Sequence, residues 1–340
     1  MAKVVTFGEI MLKFSPLNYQ RICQASVMNV EYAGAEANVA VSLSNYGIDT
    51  AFVSKLPENE LGDSALNRLR QFGINVQNVV RGGERIGIYF SEKGASQRPS
   101  KVIYDRKNSA ISNADNTDFN WDAIFADTEW FHFTGITPAL SDSLAVICLD
   151  ACRAAKAKGI TISCDLNYRK KLWSKDKAKE VMTEICKYVD VCIANEEDAA
   201  DVFGIKAKHG DVNSGKIDEQ SYASVARQLQ QQFGFKYVAI TLRESISASD
   251  NNWSAILYDG QTIYNSRKYA IHLVDRIGGG DSFGAGLIYG LMELNDAQQA
   301  LEFAVAASCL KQTIEGDFNI VKVDEVLQLM KGCGSGRIQR

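Results

Sequence analysis

The chain has 340 residues, 46% of them apolar and 23% charged, enough to bury a large core as one big α/β domain or as one domain with an insertion. Its formal charge of −4 gives no electrostatic case for nucleic acid, and no apolar run is long enough to span a bilayer. The eight cysteines include no C-x-x-C and no Cys/His cluster, and the three histidines are dispersed, so neither a zinc site nor a disulfide framework is expected. Buried thiols of a cytoplasmic protein are, since the N-terminus runs straight into a strand with no signal peptide.

Lys3–Gly8 is an apolar, β-rich run that predicts a buried central strand. Leu12–Tyr32 has no helical periodicity and holds Pro16, so it reads as short strands and loops. Gly34 opens a small-residue helix reaching Leu43, whose first turn carries Ala35 and Asn38. Asn38 could bond a ligand hydroxyl there, or simply a buried backbone group. Thr50–Lys55 predicts a strand, Asn59–Phe72 a helix closed by Gly73, and Val76–Arg81 a short strand. Ile86–Phe90 and Lys101–Arg106 alternate as strands and are joined by a polar loop, which predicts a hairpin with Tyr104 and Arg106 on one face. Tyr89, Tyr104 and Arg106 could pack that sheet face or serve a ligand beneath a lid.

From Trp130 onward strands and helices alternate. Strands at Trp130–Phe133, Thr161–Asp165, Val191–Ala194 and Tyr237–Thr241 are separated by helices at Ser141–Lys158, Lys175–Tyr188 and Ser221–Phe233. Repeated βα units predict a parallel sheet covered on both faces. All four strands run into polar clusters, where such sheets bind ligands: Thr134 to Thr137, Asn167 to Arg169, Asn195 to Asp198, and Thr241 to Glu244. Gly204–Ser221 reads as an exposed loop and residues 332–340 as a flexible tail.

Near the C-terminus Gly278, Gly279 and Gly280 precede Asp281, and Phe283, Leu287, Ile288, Leu291 and Met292 follow at helical spacing. This predicts a glycine turn feeding a buried helix. Free amides there suit an anion such as phosphate. A carboxylate beside a phosphate is electrostatically unfavourable unless it handles a proton, so Asp281 is either a general base or an ordinary N-capping residue.

The run from Asp275 through Gly278, Gly279, Gly280 and Asp281 to Gly286 resembles the C-terminal signature of the ribokinase-like sugar kinases, the phosphofructokinase-B group. Arg276 and Gly279 depart from the common wording as 2-keto-3-deoxygluconate kinases often do. Gly34, Asn38 and Ala40 match the N-terminal Gly-x-x-x-Asn-x-Ala signature, with Ala35 for its second glycine. Asp165, Asn167 and Arg169 resemble the family's Asp-Pro-Asn-x-Arg, and Asn195 to Asp198 its Asn-x-x-Glu, with Asp198 for glutamate. Arg243 stands where a glycine is usual.

The resemblance implies a ribokinase-like, doubly wound α/β fold with a mostly parallel sheet, helices on both faces and a small β-sheet lid. It implies one kinase domain over residues 1–325, with lid strands inserted at about 12–32 and 86–106. The implied reaction carries a phosphoryl group from ATP and Mg²⁺ to the 6-hydroxyl of 2-keto-3-deoxy-D-gluconate. Asp281 is then the base and the amides of Gly278, Gly279 and Gly280 the anion hole. Gly34, Ala35, Asn38, Tyr89, Tyr104, Arg106, Arg169 and Asp317 serve the sugar acid, Asn167, Asn195, Thr241 and Arg243 the nucleotide, and Asp198 the metal. A homodimer through the lid is implied as well. Two arginines by the pocket favour an acid over a neutral sugar such as fructose or ribose. A dinucleotide-binding oxidoreductase fits poorly, because no acidic residue opens a strand about 20 residues after the glycines. A noncatalytic sugar sensor would have no use for Asp281.

Overall fold

The computed structural model describes residues 2–195, 197–207 and 219–332. Most of the loop read at Gly204–Ser221, and the tail beyond Gly332, lie outside the described residues.

The chain opens with β1 (Val4–Phe7), which is fully buried, Thr6 included, as a central strand covered on both faces is. β2 (Met11–Pro16) and β3 (Met28–Ala33) form an antiparallel pair beyond it. Then come α1 (Ala35–Asn45), β4 (Thr50–Leu56), α2 (Glu60–Arg70) and β5 (Val79–Arg81). The hairpin of β6 (Ile88–Glu92) and β7 (Lys101–Asp105) follows, then the one-turn helix α3 (Trp121–Ile124). The regular part runs through β8 (Trp130–Thr134), α4 (Ile136–Ala139), α5 (Asp142–Ala157), β9 (Thr161–Asp165), α6 (Lys175–Cys186), β10 (Val191–Ala194), α7 (Asp198–Phe203), α8 (Glu219–Phe233) and β11 (Tyr237–Ser245). β12 (Asp250–Tyr258), β13 (Ile263–Asn265) and β14 (Tyr269–His272) precede α9 (Gly279–Glu293), α10 (Ala297–Lys311) and α11 (Val323–Met330).

Local chemistry sets the helix ends. Asn59, Ser141 and Ser174 accept N–H bonds in the first turns of α2, α5 and α6, and left-handed glycines follow α2, α5 and α8 at Gly73, Gly159 and Gly234.

The main sheet runs β13-β12-β11-β10-β9-β8-β1-β4-β5, with β14 also on β12. From β11 to β5 the pairs are parallel, and β12, β13 and β14 add an antiparallel edge. That edge was not anticipated from the sequence. Helices α5, α6, α7 and α8 bury Leu144, Ile147, Met182, Ile185, Val202 and Leu229 on one face of the sheet. On the other face α1, α9 and α10 bury Leu43, Phe283, Leu287, Ile288, Phe303 and Val305.

A second sheet, β3-β2-β6-β7, forms the lid. Strand alternation puts Lys13, Tyr89 and Tyr104 on its inner face and Phe14, Phe90 and Ile103 on the outer one. The described cysteines are all free thiols, buried except for Cys23, which is exposed.

Candidate active site

The polar ends of β1, β8, β9, β10 and β11 open into one cleft, of about 1450 Å³ counting space open to solvent, with the lid over one side and the start of α9 beneath. All the residues that the resemblance assigns to base, anion hole, sugar acid, nucleotide or metal line it, except Asp198.

The floor is the turn into α9. Gly278 has φ +81°, and a Cβ there would come within 2.1 Å of the Asp317 carbonyl oxygen, so only glycine fits. Gly34 meets a similar constraint from the Glu9 carbonyl oxygen, 1.8 Å from a built Cβ. Among the described residues, the amides of Gly278, Gly280 and Asp281 have no protein acceptor, whereas Gly279 N–H closes the turn on the Arg276 carbonyl at 3.3 Å. Three amides at a helix N-terminus are therefore open to an anion.

Asp281 stands in the first turn of α9. Burial pushes its carboxyl up to about 6; the Asn38 hydrogen bond opposes this, Asp317 adds to it, and Arg169 and Lys311 oppose it. Asn38 Nδ2 donates to Asp281 Oδ2 at 2.6 Å, and Gly34 N–H donates to Asn38 Oδ1 at 3.4 Å. Asn38, expected on a ligand hydroxyl, is thus bonded to Asp281, leaving Oδ1 of that carboxylate toward the cleft.

The lid side is more heavily paired than the sequence suggested. Asp317 accepts Lys13 Nζ at 2.6 Å and the Tyr89 hydroxyl in a very short bond. Lys13 also lies 3.0 Å from Glu31 and 4.0 Å from Asp275. Burial alone would lower the Lys13 ammonium, but Asp317, Asp275 and Glu31 outweigh it and hold Lys13 well above the ordinary lysine range. Arg106 Nε donates to Glu9 Oε2 at 2.8 Å, one of its Nη groups bonds the same oxygen, and Ser109 donates to the other at 2.8 Å. The Arg106 guanidinium lies 5.2 Å from the Tyr104 ring centre, and the Tyr89 and Tyr104 rings are 5.8 Å apart. Arg106 therefore presents one remaining Nη group rather than a free cation, because a buried carboxylate needs a partner. Arg169 is exposed and has no hydrogen-bonded carboxylate among the described residues.

At the strand ends, Asp165 Oδ1 accepts Asn167 N–H at 3.1 Å, and Asn167 takes the unusual φ of +36°. Asp198 is buried behind them, its oxygens accepting Tyr168 N–H at 3.0 Å and Asn195 N–H at 2.9 Å. Asp198, which the resemblance places by the metal, is absent from the cleft lining; each of its oxygens accepts one backbone amide, so it ties two strand-end loops together behind the site. Asp165 does face the cleft. Burial raises its carboxyl, and Asp198 and Asp281 raise it further, against Arg169. Thr241 donates to the Ala194 carbonyl at 3.4 Å, and Arg243 lies near Arg276.

Sequence reasoning missed Glu9, Glu36, Asn251, Trp253 and Arg276 among the lining residues. Arg276 had a signal, being a charged residue beside the glycine turn. Glu36 had one too, as an acid in a small-residue helix. It is buried, takes two hydroxyls and an amide from Thr134 and Thr137, and is pushed up to about 7 by burial. Asn251 and Trp253 had none, because their strand was not recognised.

A doubly wound sheet, an amide cradle at a helix start and a carboxylate poised near neutrality define the class as a phosphoryl-transferring α/β enzyme. The chain belongs to the pfkB family of carbohydrate kinases, whose model matches residues 1–320. It is 34% identical over 335 residues to a 2-dehydro-3-deoxygalactonokinase of Haloferax volcanii, covering 98% of each chain. It is 29% identical over 325 residues to a 2-dehydro-3-deoxygluconokinase of Bacillus subtilis, covering 95% of this chain and 93% of the relative. The crystal structure of a 2-dehydro-3-deoxygluconokinase from Thermotoga maritima superposes with a TM-score of 0.94 at 51% identity, covering 97% of this chain and 98% of the other.

Proposed function

We propose that this kinase transfers the γ-phosphoryl group of ATP to the 6-hydroxyl of 2-keto-3-deoxy-D-gluconate. The observation that carries the reading is Asp281, a carboxylate near pH 6 with one oxygen free, beside three unpaired amides in the same cleft as Arg106 and Arg169. Asp281 takes the hydroxyl proton as the oxygen attacks phosphorus, and the amides of Gly278, Gly280 and Asp281 hold the charge on the transferred group. Arg169 meets charge on the sugar acid or the γ-phosphate, and the remaining Nη of Arg106 meets the sugar carboxylate. Thr241, Arg243, Asn167 and Asn195 border the nucleotide.

The donor set suits Mg²⁺ that arrives on the phosphates and keeps most of its waters. Asp198 and Asp281 both raise the Asp165 carboxyl, with Arg169 the cation opposing them, so a divalent ion here would relieve the repulsion. Asp165 and Asn195 would hold its waters, and the ion would supply charge neutralisation along the phosphates.

The same proposal includes a homodimer through the lid. Val30, Phe14, Phe90 and Ile103 lie side by side across all four strands of the outer face; the Phe14 and Phe90 rings stack at 5.4 Å, while Val30 and Ile103 are 60% and 44% exposed. An exposed apolar row on a sheet of this size suits a second copy of itself. Free thiols fit a reducing compartment, and the cytoplasm is the proposed one.

The test is a panel with ATP–Mg²⁺ and 2-keto-3-deoxygluconate, its C4 epimer, fructose and ribose. The reading expects the highest kcat/KM on the gluconate. A higher value on fructose or ribose would remove the sugar-acid assignment and leave a sugar kinase of other specificity.

A further inference from the structure

Lys311 is a charged side chain that the reaction above does not use. It ends α10, and none of its surface is exposed. Its ammonium donates to the main-chain carbonyl of Asp275 at 3.3 Å and, in a very short bond, to that of Ile277. Four charged groups face it from four places: Asp275 from the loop before α9, Asp317 from the segment after α10, Lys13 from the lid strand β2, and Asp281 from α9. None of the three carboxylates forms a hydrogen bond with it among those found in the described residues. A buried ammonium held by carbonyls is expensive in a core where a methionine would fit, and that points to a use for the charge.

The use follows from peptide geometry. In a trans peptide the C=O and the following N–H point in opposite directions. The Ile277 carbonyl faces Lys311, so the N–H of Gly278, on the same peptide, faces the cleft. That N–H is one of the three cradle amides without a protein acceptor. A charged donor on the carbonyl polarises the whole peptide and strengthens its N–H as a donor. It also fixes the plane of that peptide, and with it the direction of the N–H.

We infer that Lys311 is a positioning residue for phosphoryl transfer: its ammonium, from behind the turn, orients and polarises the Gly278 amide of the anion cradle and steadies the charge of Asp281. The inference rests on the phosphoryl-transfer reading above and names a part of that site. It makes the cradle more than a glycine turn, since a charge on a helix behind the turn acts on one of its amides.

The experiment compares wild type with Lys311→Met, which keeps the length and loses the charge. Thermal melts and the KM values for ATP and sugar establish that the fold and the ground-state complex are intact. The inference expects kcat to fall roughly 10- to 100-fold with both KM values within a few-fold, since a single cradle donor is worth about that much or more. It also expects the acid limb of the kcat profile to move to higher pH, because Asp281 loses a nearby cation while Glu36, Asp165 and Asp317 still face it. Should the Met variant fail to fold, Lys311→Ala is assayed with propylammonium, which replaces the lost atoms, and with tetramethylammonium, which cannot donate; recovery by the first alone supports the inference. Wild-type kcat with an unmoved acid limb in a folded variant overturns it, as does a loss that appears in KM alone or a folded Ala variant that propylammonium does not restore. The comparison is made on whichever sugar wild type phosphorylates best, so a wrong substrate assignment shows up in wild type and leaves the Lys311 result readable.

Discussion

Asp281 is the proposed base, and burial outweighs the groups that oppose it. Burial raises its carboxyl, while the Asn38 amide and two cations bring it back to about 6. A base must be ionised to work, and a carboxyl raised to about 6 is ionised above that pH and protonated below it. kcat should therefore be level above pH 7 and fall about tenfold per unit below pH 6. Asp281→Asn keeps the shape and removes the proton acceptor, so kcat should drop roughly 10²- to 10⁴-fold with ATP and sugar affinities nearly unchanged. A kcat within a few-fold of wild type would take Asp281 out of the mechanism. Arg106 has a more conditional part, since Glu9 already holds two of its donors. Arg106→Ala should lower kcat/KM for the sugar acid by about ten- to a hundredfold, as a charged hydrogen bond of about 1.5–3 kcal/mol implies, and less for fructose. Equal losses on both would assign Arg106 to the lid alone. Individual residue types announced most of these positions, but not their partners. Asn38 was legible as a polar residue in a helix of small ones, yet nothing local said that it would meet a carboxylate 243 positions away.

At the scale of elements, the lid packs Leu12 and Ile86 into the core beside α1 and is pinned further out by polar contacts. Lys13 of β2 and Tyr89 of β6 both grip Asp317, Lys93 pairs with Glu315 at 2.6 Å, and the hairpin tip bonds the β11–β12 turn through Ser96 and Ala248. Of these only the contacts to Asp317 are buried, the others lying at the surface, so the hairpin tip should open at lower cost than the main sheet. Hydrogen exchange across residues 86–106 should slow when sugar acid is added and quicken in Lys13→Met. Exchange unchanged by ligand would make the hairpin plain scaffold. The strands of the lid were readable from their alternation and the polar loop between them. The Lys13–Asp317 pair spans 304 positions and left no mark in either local pattern. The unanticipated strands β12, β13 and β14 show a different limit: an antiparallel edge strand alternates with its surroundings only after its partners are known, and no helix separates these three to mark them as units.

The whole molecule places the chemistry where the βα order predicts it, at the carboxyl ends of the parallel strands, which is why four polar clusters in a row could be read as one site. The glycine turn enters α9 from an antiparallel hairpin rather than from a parallel strand, which separates it physically from a dinucleotide loop. At this scale the lid's outer row has its own test. Ile103→Asp puts a carboxylate into the proposed dimer seam, and sedimentation should show wild type as a dimer and the variant as a monomer. A wild type that sediments as a monomer would leave the row without its proposed partner. The central claim is the phosphoryl transfer itself, and phosphorus NMR of the product tests it most directly. With ATP, Mg²⁺ and 2-keto-3-deoxygluconate, wild type should give a new phosphomonoester coupled to the C6 methylene protons, and Asp281→Asn should give almost none over the same time. No phosphomonoester from wild type, one on another carbon, or an undiminished yield from the Asn variant would contradict the account.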